Sequence, residues 1–236
     1  MPHLQPADQF QHHGGLMSHQ SGQDARERRA LASSPEASME QLADLAQDAH
    51  TGVRTSVAEN PLTSLHILRS LGQDSSEWVR GAVAANPHTP LDVVLGLAKD
   101  PAWYVRAQVA EHGKIDPAVA RLLASDPQID VIRGLAKNPS LPGQAINMVR
   151  ESGDDEALGI LATNPGITEG VVLELLPLVD SWHRRELAER RPVPTSLRRT
   201  LAADEEAAVR VALAGDPALD PELIKMLASD SDEDVR

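Results

Sequence analysis

The chain has 236 residues, a formal charge of −13, no cysteine and only 2% aromatic residues. These values exclude disulfides, thiolate metal sites and cysteine nucleophiles, and they disfavour a general nucleic-acid binder, whose affinity comes from neutralising phosphates with Lys and Arg. No segment is long and apolar enough to read as a membrane span, and the N-terminus carries no stretch of signal-peptide type, which fits a cytoplasmic protein.

Residues 1–26 are rich in His, Gln, Gly and Ser and show no apolar periodicity. Such a segment buries too little surface to offset its ordering entropy, so residues 1–26 are expected to be a disordered tail. His3, His12, His13 and His19 lie in it without a frame to set ligand geometry, so they predict no metal site. No cofactor is expected anywhere in the chain.

From residue 27 to Arg236 the sequence repeats every 26 residues, about eight times. A fixed period of this length is the signature of a stacked solenoid. One alanine column has no exception: Ala32, Ala58, Ala84, Ala110, Ala136, Ala162, Ala188 and Ala214. An Asn column (Asn60, Asn86, Asn138, Asn164) precedes a Pro column, reading as a helix end with Asn in the left-handed conformation. Ser38, Ser64, Asp116, Thr168 and Asp220 then start a first helix as caps, with Pro117 and Pro221 at the first helical position. Leu45, Leu71, Leu97, Leu123, Val149, Leu175, Leu201 and Leu227 form its core stripe. An Asp column (Asp48, Asp74, Asp100, Asp126, Asp204, Asp230) is expected to cap the second helix. That helix buries a Val column four residues from a second Val/Leu column.

The run Asp100-Pro101 through Val105-Arg106 to Val109-Ala110 resembles the leucine-rich repeat variant family and is similar to HEAT-like repeats. The resemblance covers 27–236. It implies an all-α, right-handed α-solenoid (a superhelix) in which one helix per repeat is short or of 3-10 type. Some relatives of that kind carry an N-terminal cysteine cluster for iron–sulfur binding. This chain has no cysteine, so that function is not carried over.

Two candidate surfaces follow. Trp78, Trp103, Tyr104 and Trp182 all lie in the first turn of a second helix, on a face that also carries Gln108, Glu111, Glu186 and Glu189. Exposed Trp and Tyr mark a binding surface for a protein partner. Within the acidic chain, Arg184, Arg185, Arg190, Arg191, Arg198 and Arg199 form a basic stretch that could dock an acidic ligand, a phosphate or RNA. The Arg column (Arg54, Arg80, Arg106, Arg184, Arg210, Arg236) reads instead as structural. Ile132 and Leu158 occupy the same register, so the stems are expected to pack between repeats and the heads to pair with the Asp column or helix carbonyls. Residues 153–155 and 178–183 depart from the repeat and are expected to bend the stack. The chain stops half-way through a repeat, which would leave Leu223, Ile224 and Leu227 without cover and open to self-association or another partner.

No serine elbow, phosphate loop, HExxH or base-and-acid constellation occurs. The expected function is a non-catalytic protein-interaction scaffold. The alternatives are a phosphate or nucleic-acid binder through the arginine stretch, and an enzyme like the HEAT-like DNA glycosylases, against which the net charge weighs.

Overall fold

A computed structural model describes residues 24–113 and 115–236. The expected tail at 1–26 lies outside the described residues up to position 23. Residues 24–26 begin a helix, 24–32 (α1), so ordered structure starts earlier than the composition implies. The chain divides into two compact units, Met1–Val93 and Val94–Arg236.

The first unit holds α1, α2 (Met39–Leu45), α3 (Thr51–Glu59), α4 (Leu65–Leu71) and α5 (Glu77–Ala85), and the boundary falls inside α6 (Leu91–Leu97). The second continues with α7 (Trp103–Glu111), α8 (Pro117–Ala124), α9 (Ile129–Lys137), α10 (Gly143–Glu151), α11 (Asp155–Thr163) and α12 (Glu169–Leu175). The last four are α13 (Ser181–Glu189), α14 (Thr195–Ala202), α15 (Ala207–Ala214) and α16 (Pro221–Leu227). A 3-10 turn, Leu176–Leu178, follows α12 directly. All described secondary structure is helical, in helix pairs that pack successively as in a repeat solenoid. In the second unit the odd-numbered helices α7, α9, α11, α13 and α15 pack in sequence as one row. The even-numbered helices form another, with α8 on α10, α12 on α14 and α14 on α16. In the first unit α3 packs on α5 in the same way.

The repeat columns become layers of core. Leu123, Val149, Leu175 and Leu201 are fully buried between the rows, as are Val53, Val79, Val105 and Val209. The alanine column marks close helix approach. A Cβ added to Gly134 on α9 would stand 2.9 Å from the Ala107 carbonyl and 3.2 Å from the Ala110 Cβ on α7, so neither wall has room for a longer side chain. Ala32 through Ala188 are all buried, whereas Ala214, on the last odd-numbered helix described, is exposed. Leu223 and Leu227 are buried where α16 packs on α14 and α15, correcting the expectation that they lose cover, and of that group Ile224 alone is exposed.

Caps start the even-numbered helices. Ser38 forms a reciprocal pair with Gln41, while Ser64, Asp116 and Asp220 accept first-turn N–H groups; Thr168 stands at its N-cap without a side-chain bond.

Two columns do different work from that expected. The Asn residues are not left-handed; Asn138 has φ −69° and ψ 116°. Each is buried, and its amide reaches into the preceding repeat. Asn138 Nδ2 donates to the Ala110 and His112 carbonyls at 2.8 and 2.9 Å, while its Oδ1 accepts from Ser140 N–H at 2.8 Å. Asn60 and Asn164 repeat the pattern in their own units. A buried amide must fill its donors and acceptor; here carbonyls at the C-terminal end of the preceding repeat's helix take the donors, and a backbone N–H two residues on fills the acceptor.

The Asp column does not cap the second helix. The N-caps are His50, Ser76, Gln128 and Glu206, two residues further on. Each aspartate closes an Asx-turn onto that later residue, as Asp74 Oδ1 does with Ser76 N–H at 2.8 Å. Its other contact comes from the arginine 20 positions earlier. Arg106 Nε and Nη2 meet Asp126 Oδ2 and Oδ1 at 2.6 and 2.9 Å, and Arg106 Nη1 donates to the Asp100 carbonyl at 2.7 Å. Arg54–Asp74, Arg184–Asp204 and Arg210–Asp230 make the same fork, and Arg28–Asp48 shows that the column begins one repeat earlier than Arg54. The sequence expectation that these heads pair with aspartates and carbonyls holds for these pairs.

The fork is absent where both of its residues change. Ile132 stands opposite Ser152 in register, and Leu158 opposite Leu178; the two apolar stems are buried. The aspartates have moved two residues on, to Asp154 and Asp180, where they become true N-caps of α11 and α13. Gly153, at φ 68°, makes the turn into the first. Arg133, one residue later than the usual arginine, forks onto Asp154 with both bonds at 2.9 Å. One joint further, the equivalent position is Gly159, and the His183 ring fills the space; a Cβ on Gly159 would lie 2.1 Å from His183 Nε2.

Candidate functional site

The exposed surface of the odd-numbered helices in the second unit holds most of the sequence-predicted aromatic residues. The cause is local. The odd-numbered helices α7 to α13 bury the apolar column residues they carry, so the remaining first-turn positions face outward. Trp103 is 45% and Trp182 62% exposed, and Tyr104 is half-buried. Trp103 and Tyr104 meet edge to face, ring centroids 6.3 Å apart. They line a groove of about 350 Å³ with Gln108 and Glu111 of α7, Asp130, Arg133 and Lys137 of α9, and Glu156 and Ile160 of α11. Trp182 stacks edge to face on the His183 ring at 4.7 Å. That ring is fixed in turn by Asp180, whose Oδ1 lies 2.8 Å from Nδ1. The His183 N–H and ring together hold the Asp180 carboxyl below its ordinary range. Trp78 belongs to the first unit, on α5, and is 57% exposed.

The cations of this face are already engaged. Arg133 is forked onto Asp154, Lys137 Nζ donates to Glu111 at 3.0 Å, and Arg185 Nε donates to Glu189 at 2.8 Å. The carboxylates of Asp130, Asp155, Glu156 and Glu186 are exposed and make no hydrogen bond or ion pair among the described residues. The sequence register places Glu186 on the aromatic face, whereas Asp130, Asp155 and Glu156 are not among the site residues proposed from it. The available signal was their register: Asp130 and Glu156 occupy the column of Tyr104 and Trp182, and Asp155 that of Trp103.

The arginine stretch is not gathered into one free cationic surface. Arg184 is a ladder residue, 13% exposed, forked onto Asp204 and donating to the Val179 carbonyl at 2.8 Å. Arg190 takes the place of the ladder asparagine and donates to the Thr163 carbonyl. Arg191 donates to the carbonyls of Ala188 and Ala212. Arg198 Nη1 donates to Ala218 O at 2.6 Å. Its Nε lies 3.2 Å from the buried Asp216 carboxylate, an ion pair without the alignment of a hydrogen bond. Arg185 and Arg199 keep exposed heads, each beside a carboxylate, Glu189 and Glu222. Counting charges along the sequence does not show this, because four of the six heads serve backbone carbonyls and the aspartates of neighbouring repeats.

Among the described residues no group of three or more His, Asp and Glu side chains could hold a metal ion, and no helix is long and apolar enough to cross a membrane. Comparison with protein-family models gives no match, and comparison with curated proteins gives none.

Proposed function

We propose that the chain is a non-catalytic protein-interaction scaffold that binds its partner along the exposed face of the odd-numbered helices of the second unit, with Trp103, Tyr104 and Trp182 as anchors; Trp78 is the corresponding exposed anchor of the first unit. One observation carries this reading. Large aromatic side chains stand at the first turns of α7 and α13 with 45% and 62% of their surface in solvent, although the Leu and Val columns between the rows are buried. A folded chain gains nothing from leaving indole rings in water, whereas Trp and Tyr anchors dominate the energetics of interfaces. The zero cysteine content suits a reducing compartment such as the bacterial cytoplasm. The leucine-rich repeat variant resemblance supports the same reading, since stacked repeats offer extended binding surfaces.

The test is affinity capture from the native cell with the wild-type chain and with Trp103→Ala and Trp182→Ala, followed by direct titration of the captured protein. Both substitutions are expected to leave the melting temperature unchanged and to weaken the titrated affinity at least tenfold. Unchanged affinity in both variants, or loss of folding in either, refutes the assignment.

A further inference from the structure

The face described above is not neutral. In register, the first turns along the odd-numbered row read Trp103-Tyr104 on α7, Ile129-Asp130 on α9, Asp155-Glu156 on α11 and Ser181-Trp182 on α13. These helices pack one on the next. Aromatic rings therefore stand at the two ends of a strip whose middle carries three exposed carboxylates. First-turn acids favour their own helix termini, but that does not consume their outward charge. Arg133, the cation nearest the middle of the strip, is committed to Asp154. The Asp154 hydrogen bonds first, and then the charges of Glu156 and Asp130, hold its guanidinium above the ordinary pKa. The strip keeps a surplus of negative charge beside exposed indole rings.

We infer that the partner element recognised here is an extended, arginine- or lysine-rich protein segment, an inference that rests on the scaffold reading above. The charge complementarity is direct. Cationic side chains pair with Asp130, Asp155 and Glu156, and those at the segment's ends lie over Trp103 and Trp182, where guanidinium and ammonium groups are attracted to indole faces. The dimensions agree with an extended strand of chain. Neighbouring helix axes lie roughly 8–10 Å apart, so three steps from α7 to α13 span roughly 25–30 Å. At roughly 3.3 Å per residue that is eight or nine extended residues. An acidic or purely apolar segment would leave the carboxylates unpaired, and a nucleic acid would meet like charge.

The experiment titrates three labelled peptides of about ten residues, matching the span, by fluorescence anisotropy: one alternating Arg and Ser, one Glu and Ser, one Leu and Ser. A short single-stranded RNA is titrated as well. Four forms of the full chain are compared: wild type, Trp103→Ala, the triple variant Asp130→Asn/Asp155→Asn/Glu156→Gln, and a control that removes as much charge from exposed positions of the first unit, Glu36→Gln/Glu40→Gln/Asp44→Asn. The arginine peptide is expected to bind most tightly. Its affinity should fall at least about tenfold in the strip triple variant and in Trp103→Ala, and less than about twofold in the control. Equal binding of the Leu or Glu peptide, still dependent on Trp103, overturns the cationic preference and leaves the interaction surface standing. Arginine-peptide binding that is lost equally in the control is bulk charge attraction and overturns the inference, as does no binding or preferred binding of RNA. Binding that ignores Trp103 overturns the surface as well. Circular dichroism of each variant verifies that the loss is not unfolding.

Discussion

The joint between successive repeats can be tested with a natural substitution that the chain itself carries. Arg106 makes four charge-assisted hydrogen bonds, two to Asp126 and one each to the Asp100 and Pro101 carbonyls, with side-chain exposures of 15% for Arg106 and 7% for Asp126. Replacing Arg106 by Ile, the residue at the equivalent position 132, keeps an apolar stem but leaves Asp126 charged and nearly buried, with only the Gln128 N–H at 3.0 Å as partner. Breaking one side of a buried pair costs about 3–5 kcal/mol; the open edge of this pair scales that down to about 2–3 kcal/mol. Adding Asp126→Ser, the residue at equivalent position 152, removes the stranded charge. The double variant then copies the Ile132/Ser152 joint and should recover at least about 1 kcal/mol of the loss. Urea denaturation of the wild type, both single variants and the double variant, followed by far-UV circular dichroism, gives the coupling energy as a double-mutant cycle. Additive losses, with the double variant the least stable of the four, would refute the idea that the arginine is needed because the aspartate is there.

Other consequences are read in the same way. Asn138→Ala removes three hydrogen bonds, two of them buried, and strands the Ala110 and His112 carbonyls, so it should destabilise by about 2–4 kcal/mol in a urea titration. Ala110→Leu meets the α9 wall at Gly134 and should cost about 1–3 kcal/mol. The same change at exposed Ala214 should move the urea midpoint by less than about 0.5 kcal/mol equivalent; similar effects at both sites would contradict the close-approach reading. The ladder aspartates predict an acid limb. Asp230 is lowered from 3.8 to about 2, first by its bonds to Arg210, and Asp48, Asp126 and Asp154 are lowered as well. As pH falls through 3.8 the unfolded chain takes up protons before the folded one. Stability should therefore be level above that value and decline as pH drops below it, with the Asp230 contribution lost as pH approaches about 2. A urea midpoint that rises on acidification through this window would contradict the pairing.

The period of 26 and the identity of the buried columns were legible without coordinates. A helix that must hide one stripe repeats its apolar positions wherever its neighbour repeats, and so Leu123, Val105 and Ala110 announce themselves. The degenerate stretch was visible too, as departures at Gly153, Leu178 and His183. Periodicity says which residues are equivalent, but not how far one layer is offset from the next. That offset decided that Arg106 meets the aspartate 20 positions on, and that Asn138 reaches carbonyls 28 and 26 positions back. It decided that Gly159 exists to admit His183, and that Asp130 and Glu156 line the same groove as Tyr104. Read locally, the Asn and Asp columns looked like helix stops and caps, because their short polar side chains serve those roles on a single chain segment. Stacking buries those side chains against the open backbone of an adjacent repeat, and a buried polar group takes the partner that lies within reach in space.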